Sequence, residues 1–285
     1  IMTNDPSFLY LSTVLPPIIL GIIIWKSDRF QEPGMFLLAS FLLGVSIILP
    51  LDLLIMITED HLAPLLGLDM EAYREWYDGG YKEEGAITPV AERVFLSFFR
   101  AAFLEEGIKF ALLIFFCVRL SDLNEPMDAI VYGAAIGLGY AAIENVGYLY
   151  IEGCYDAPPW SMQGVKCRYY PLVMHFGFGV VMGLFLSHAL FGERDVFKNR
   201  VMTILALLVP VMYHGVYNYN RTFDTFPLLT IIFIIGIYYY LRKEQDRRIT
   251  EPQDKVAIDR TDIFYSYMAT LVLVVIIIGS ILLIH

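Results

Sequence analysis

Residues 96–118 read LSFFRAAFLEEGIKFALLIFFCV. As an α-helix this stretch would extend about 34 Å at 1.5 Å per residue, enough to cross the roughly 30 Å hydrocarbon core of a bilayer. It is apolar at both ends and carries Glu105, Glu106 and Lys109 at its centre. Ionisable groups at membrane depth are costly, so by default they mark a functional site. The fold and the function are therefore both posed by one segment.

Outward from it, comparable apolar runs recur. They lie at roughly 8–25, 35–57, 96–118, 127–150, 170–190, 200–218, 226–241 and 264–284, each near the length a transmembrane helix needs. Across the 285 residues 57% are hydrophobic and 18% charged, against about 25% charged in an ordinary soluble domain. The runs are too long, and alternate too little in polarity, for strands of an outer-membrane barrel. The expected fold is all-α: a polytopic transmembrane bundle of about eight spans, forming a single domain over 1–285. Pro16-Pro17 should bend the first span. The net charge of −10 argues against nucleic acid as a partner, leaving the lipid bilayer and a membrane-anchored substrate. Phe8–Trp25 has no basic region before it and reads as a span rather than a cleavable signal peptide. Ile1 is not expected to be the native start.

Loop charge sets an orientation. One set of alternate loops, from Lys26 to Arg260, holds twelve Lys and Arg residues and the other set holds six. The richer set is expected to be cytoplasmic. Both termini then lie outside a multi-pass plasma-membrane protein, as does the loop holding Cys154 and Cys167. Those two cysteines could pair if that loop faces an oxidising compartment. Cys117 sits in an apolar run and should pack as a small hydrophobe. The acidic stretch 58–95, with Tyr73, Trp76, Tyr77 and Tyr81, is either an interfacial lid or an exposed loop.

The intramembrane polar residues share a depth. Span three brings Glu105, Glu106 and Lys109; span four Glu144 and Asn145; span five His175; span six His214 and Asn218. With the orientation above, all fall in the outer half of the membrane, and scattered structural residues would not be expected to do so. Glu105 and Lys109 are i,i+4 in the favourable order, as His214 and Asn218 are i,i+4 on one face. Lys109 can offset one carboxylate and leave the other free. Gly133–Gly137 and Gly179–Gly183 are small-xxx-small pairs that allow spans four and five to approach closely. A lone Glu–Lys pair or a single His on an apolar face is commonly structural, and Asn145 could simply bond a neighbouring helix. His61, His188 and His285 are assigned no role.

Two chemistries suit the set. In one, Glu105 or Glu106 draws a proton from water while His214 and Asn218 stabilise the oxyanion. In the other, Glu144, His175 and His214 ligate zinc with an open fourth position, and a span-three glutamate remains the base. Rivals are a proton-coupled transporter using buried Glu and His, a haem or quinone site on His175 and His214, and a non-catalytic receptor.

At these residues the chain resembles the PrsW family of intramembrane proteases, which is related to the CAAX-prenyl-protease and bacteriocin-processing superfamily. The likeness rests on Glu105-Glu106-Gly107-Ile108-Lys109, Ala141-Ala142-Ile143-Glu144-Asn145, His175-Phe176-Gly177-Phe178-Gly179 and His214-Gly215-Val216-Tyr217-Asn218, in the family's order, within about residues 95 to 220. Asn218 stands where many members have Asp. The resemblance implies peptide-bond hydrolysis in or beside a transmembrane segment near the extracytoplasmic face, in the manner of site-1 cleavage of an anti-sigma factor. The superfamily's metal and metal-free mechanisms both stay open at this point.

Overall fold

The computed structural model describes residues 6–71, 90–120, 122–150, 154, 157–192, 195–220 and 225–250. These residues are helical throughout their regular structure, and no strand occurs among them. Seven helical rods follow one another. They are α1 (Pro6–Ser27), α2 (Gly34–Leu65), α3 (Val90–Val94, Phe95–Phe103 and Leu104–Phe115 in series), α4 (Pro126–Tyr148), α5 (Met162–Phe191), α6 (Val196–Tyr219) and α7 (Thr225–Thr250). Six of them are long and apolar enough to cross a membrane. The exception is α3, whose Arg93, Arg100, Glu105, Glu106 and Lys109 set it apart. The eighth expected span, 264–284, and the aromatic residues Tyr73 to Tyr81 lie outside the described residues.

The centre of the bundle is α4 against α5, both buried along most of their length. Small residues make that contact. A methyl added at Gly179 would lie 2.2 Å from the Gly133 carbonyl oxygen, and one at Gly137 would lie 2.2 Å from that of His175. The two glycine pairs anticipated from spacing therefore face one another, so the helix backbones touch and dispersion between them replaces contact with lipid. The same device seats α2, since a Cβ at Gly139 would meet Phe41 O at 2.0 Å. By contrast α1, α2 and α7 expose rows of Leu, Ile and Phe, including Leu11, Ile23, Leu49, Phe233 and Ile235. In a bilayer such faces meet lipid, which is as apolar as they are.

Helix ends are closed locally. Asp195 accepts from Phe197 N and Lys198 N at the start of α6, and Ser161 from Gly164 N at the start of α5. Both satisfy backbone donors that a helix start leaves free. α1 runs continuously through Pro16 and Pro17. Cys117 is fully buried, 3.5 Å from Ser40 Oγ. Cys154 and Cys167 are joined in a disulfide that pins the α4–α5 connection to α5. Behind it Arg168 is almost wholly buried and donates to Cys154 O and Ala157 O, holding that connection inward.

Candidate active site

α3 arrives at the site through a change of pitch. Phe95–Phe103 is a π-helix, wider than the α-helix that resumes at Leu104. Such wide turns are rare and recur at functional sites. Here they pack against α6, where Phe98 would stand 2.2 Å from a Cβ at Gly215, directly after His214. The following α-helical turn buries Glu105, Glu106 and Lys109 in the interior of the bundle.

Four residues from three helices converge. One donor atom from each of Glu105, Glu106, His175 and His214 lies within 4.8 Å of the others, and all four residues are buried. Glu106 Oε1 accepts from Lys109 Nζ at 2.8 Å and from His214 Nδ1 at 2.9 Å. Lys109 Nζ also lies 2.9 Å from His175 Nδ1. An ammonium can only donate, so His175 Nδ1 is the acceptor and its ring proton sits on Nε2. That proton meets Glu144 Oε2 at 2.7 Å. His214, donating from Nδ1, keeps an Nε2 lone pair that faces Glu105 Oε2 at 4.0 Å.

Lys109 thus sits closest to Glu106 at i,i+3, while Glu105, the i,i+4 partner anticipated from spacing, is 3.9 Å away. Glu105 Oε2 and Glu106 Oε2 are both buried without a hydrogen-bond partner. Glu144, expected among the zinc ligands, lies on His175 Nε2, outside the four whose donor atoms converge. Asn145 donates to Arg168 O at 2.7 Å and so bonds a neighbouring helix. Asn218 is half-buried a turn beyond His214, with no hydrogen bond to the cluster among the described residues.

Three further side chains complete the site. Phe178 stacks on His214 with ring centres 4.8 Å apart, Tyr140 meets His175 edge-on at 4.9 Å, and Lys109 Nζ lies 4.2 Å above the Tyr140 ring. Tyr148 donates its hydroxyl to Glu144 Oε1 at 3.0 Å. Sequence reasoning missed these aromatic residues. The signal was present, because Tyr140, Glu144 and Tyr148 are spaced at i,i+4 on one helix face and Phe178 is i+3 from His175.

Comparison with known proteins gives the family. Residues 32–241 match the family described as PrsW family intramembrane metalloprotease, a range that includes all four converging residues. The chain is 31% identical over 207 residues to Protease PrsW of Geobacillus kaustophilus, covering 72% of this chain and 76% of that one. It is 27% identical over 240 residues to Protease PrsW of Oceanobacillus iheyensis (82% and 94%) and 28% identical over 238 residues to that of Bacillus subtilis (82% and 93%). No solved structure matches the chain. Nothing in these likenesses supports a transporter. With its helices long enough to span a membrane and its buried Glu/His cluster, the chain belongs to the PrsW family and is an intramembrane protease.

Proposed function

We propose that the chain hydrolyses a peptide bond in or beside a substrate's transmembrane segment, near the extracytoplasmic face, with Glu105 drawing the proton from the attacking water. The observation that carries this reading is the pairing of Glu105 Oε2 and Glu106 Oε2, two buried carboxylate oxygens without partners, with two histidines within 4.8 Å. Lys109 and His214 occupy Glu106 Oε1, which leaves Glu105 the less engaged carboxylate and so the freer base.

The donor set fits a metal. Two imidazoles and a carboxylate are a common zinc set, and orphaned buried oxygens are what a bound cation would satisfy. His175, His214 and Glu106 would hold it, with Glu144 orienting the His175 ring from its far nitrogen as outer carboxylates do in histidine sites. Bound there, zinc would acidify a water and polarise the scissile carbonyl. Phe178 and Tyr140 exclude bulk water from the histidines. One observation favours a second, metal-free reading: Lys109 Nζ already bridges Glu106 and His175 and supplies positive charge at that point.

The outer location rests on the loop-charge asymmetry and on the Cys154–Cys167 bond, which an oxidising compartment would preserve. Site-1 cleavage of a membrane-anchored anti-sigma factor is the substrate class proposed from the family resemblance.

The test is cleavage of a single-span reporter by the chain in proteoliposomes, with metal analysis of the same preparation. Glu105→Gln should lower the rate by about 10²- to 10⁴-fold, the usual weight of a general base, while metal content is kept. His214→Ala should lose both metal and turnover. A fully active Glu105→Gln enzyme would sink the base assignment. Activity untouched by exhaustive chelation would select the metal-free mechanism.

A further inference from the structure

A second group of acidic side chains lies at the other end of the bundle. Asp128 is sixteen residues before Glu144 on α4, about 24 Å of helix. Around it gather Asp28, from the α1–α2 connection, Glu125, which caps α4, and Gln245 on α7. All four are buried, Asp128 completely. One oxygen from each of Asp28, Glu125 and Asp128 lies within 4.8 Å of the others.

Local hydrogen bonding accounts for only part of this group. Asp128 Oδ2 accepts from Asn124 N and Glu125 N at 2.6 and 2.7 Å, which closes the start of α4. Asp28 Oδ1 accepts from Phe30 N at 3.0 Å. Gln245 Nε2 donates to Asp28 Oδ1 and Glu125 Oε1 at 2.7 and 2.6 Å. After these bonds, Asp28 Oδ2, Asp128 Oδ1 and the Gln245 amide oxygen remain buried with no partner. The amide oxygen is an observation separate from the carboxylates, since a glutamine placed only to neutralise acids needs its NH₂ group alone. Neither Asp28 nor Asp128 makes an ion pair among the described residues. Three chain segments therefore carry orphaned buried oxygens, two of them on carboxylates that converge and the third on the glutamine bonded to that cluster.

We infer that Asp28, Asp128, Glu125 and Gln245 bind a hard divalent cation of the Mg²⁺, Mn²⁺ or Ca²⁺ class, which clamps α1, α4 and α7 at the end of the bundle opposite the Glu/His site. An all-oxygen set of carboxylates and an amide carbonyl suits these ions and does not suit zinc, whose preferred nitrogen and sulfur donors are missing here. The site is separate from the protease centre in both place and ligand type.

The experiment uses the full chain in detergent, carrying His214→Ala so that the Glu/His cluster does not compete, and stripped with EDTA. Mn²⁺ binding is read by electron paramagnetic resonance, and thermal unfolding is followed as Mg²⁺, Mn²⁺ or Ca²⁺ is added. The expected result is one Mn²⁺ per chain and a Tm that climbs with the logarithm of cation concentration, as for a ligand that binds only the folded state. Asp28→Asn, which keeps shape and the Phe30 hydrogen bond, should weaken binding at least tenfold and flatten the Tm response. Three outcomes overturn the inference: no ion bound at millimolar concentration, equal binding by the Asp28→Asn chain, or a Tm raised by acidification but by none of the three ions. The last would mean the carboxylates hold protons. If Asp28→Asn does not fold, binding stoichiometry in the His214→Ala chain alone decides.

Discussion

Glu105 and Glu106 are adjacent in sequence and chemically distinct in the structure, because Lys109 and His214 both attach to Glu106. Spacing pointed to Glu105 as the i,i+4 partner of Lys109, but i,i+3 is equally open to a lysine, and Glu106 is the nearer carboxylate. The choice is made by His175 and His214, which arrive from other helices. Glu106→Gln removes the nearest counter-charge from a lysine that is 1% exposed. Breaking a buried pair in this way costs about 3–5 kcal/mol. The variant is expected to lose stability as well as activity, whereas Glu105→Gln should lose activity alone. Denaturation midpoints in detergent, measured on both variants beside their cleavage rates, check the contrast.

At the scale of elements, each site histidine follows a proline by four residues, His175 after Pro171 and His214 after Pro210. A proline inside a helix removes one backbone hydrogen bond and pushes on the carbonyl four residues back. Asn145 of α4 bonds the Arg168 carbonyl, three residues before Pro171, in the stretch the proline disturbs. Pro171→Ala and Pro210→Ala should therefore restore a regular helix. Stability should stay level or rise while kcat falls as the imidazoles swing away from Glu106. A drop in both would show that the prolines serve packing instead. The glycine contacts predict the opposite pairing of effects. Gly179→Leu places a side chain where a methyl would already be 2.2 Å from a backbone oxygen, and no rotamer can relieve that. It should cost about 3 kcal/mol or more and collapse the α4–α5 contact, measurable as loss of monodisperse protein in detergent. The glycines and prolines were visible in the sequence, as was the apolar length of nearly every helix. The π-helical turns of α3 were not, because a π-helix leaves no fixed residue pattern.

On the scale of the whole molecule, hydropathy carried most of the architecture and shared depth carried most of the site. Glu105, Glu106, His175 and His214 were all legible as one group before any distance was known, and Glu144, expected beside them, bonds His175 Nε2. Hydropathy counted α3 among the spans, and its charges keep it out of the six helices apolar enough to cross a membrane. The isolated α3 segment carries six charges, and each Lys, Arg or Asp-like group near a helix centre opposes insertion by about 2.5–3.5 kcal/mol. It is therefore expected to fail a membrane-insertion assay when tested alone between neutral flanks, and to integrate once α4, α5 and α6 follow it. Efficient insertion of the lone segment would refute this. Synthesis then imposes its own order on the enzyme. The glutamate-bearing rod must wait for helices still emerging from the ribosome, so a half-made chain has no cutting edge to turn on its neighbours in the membrane.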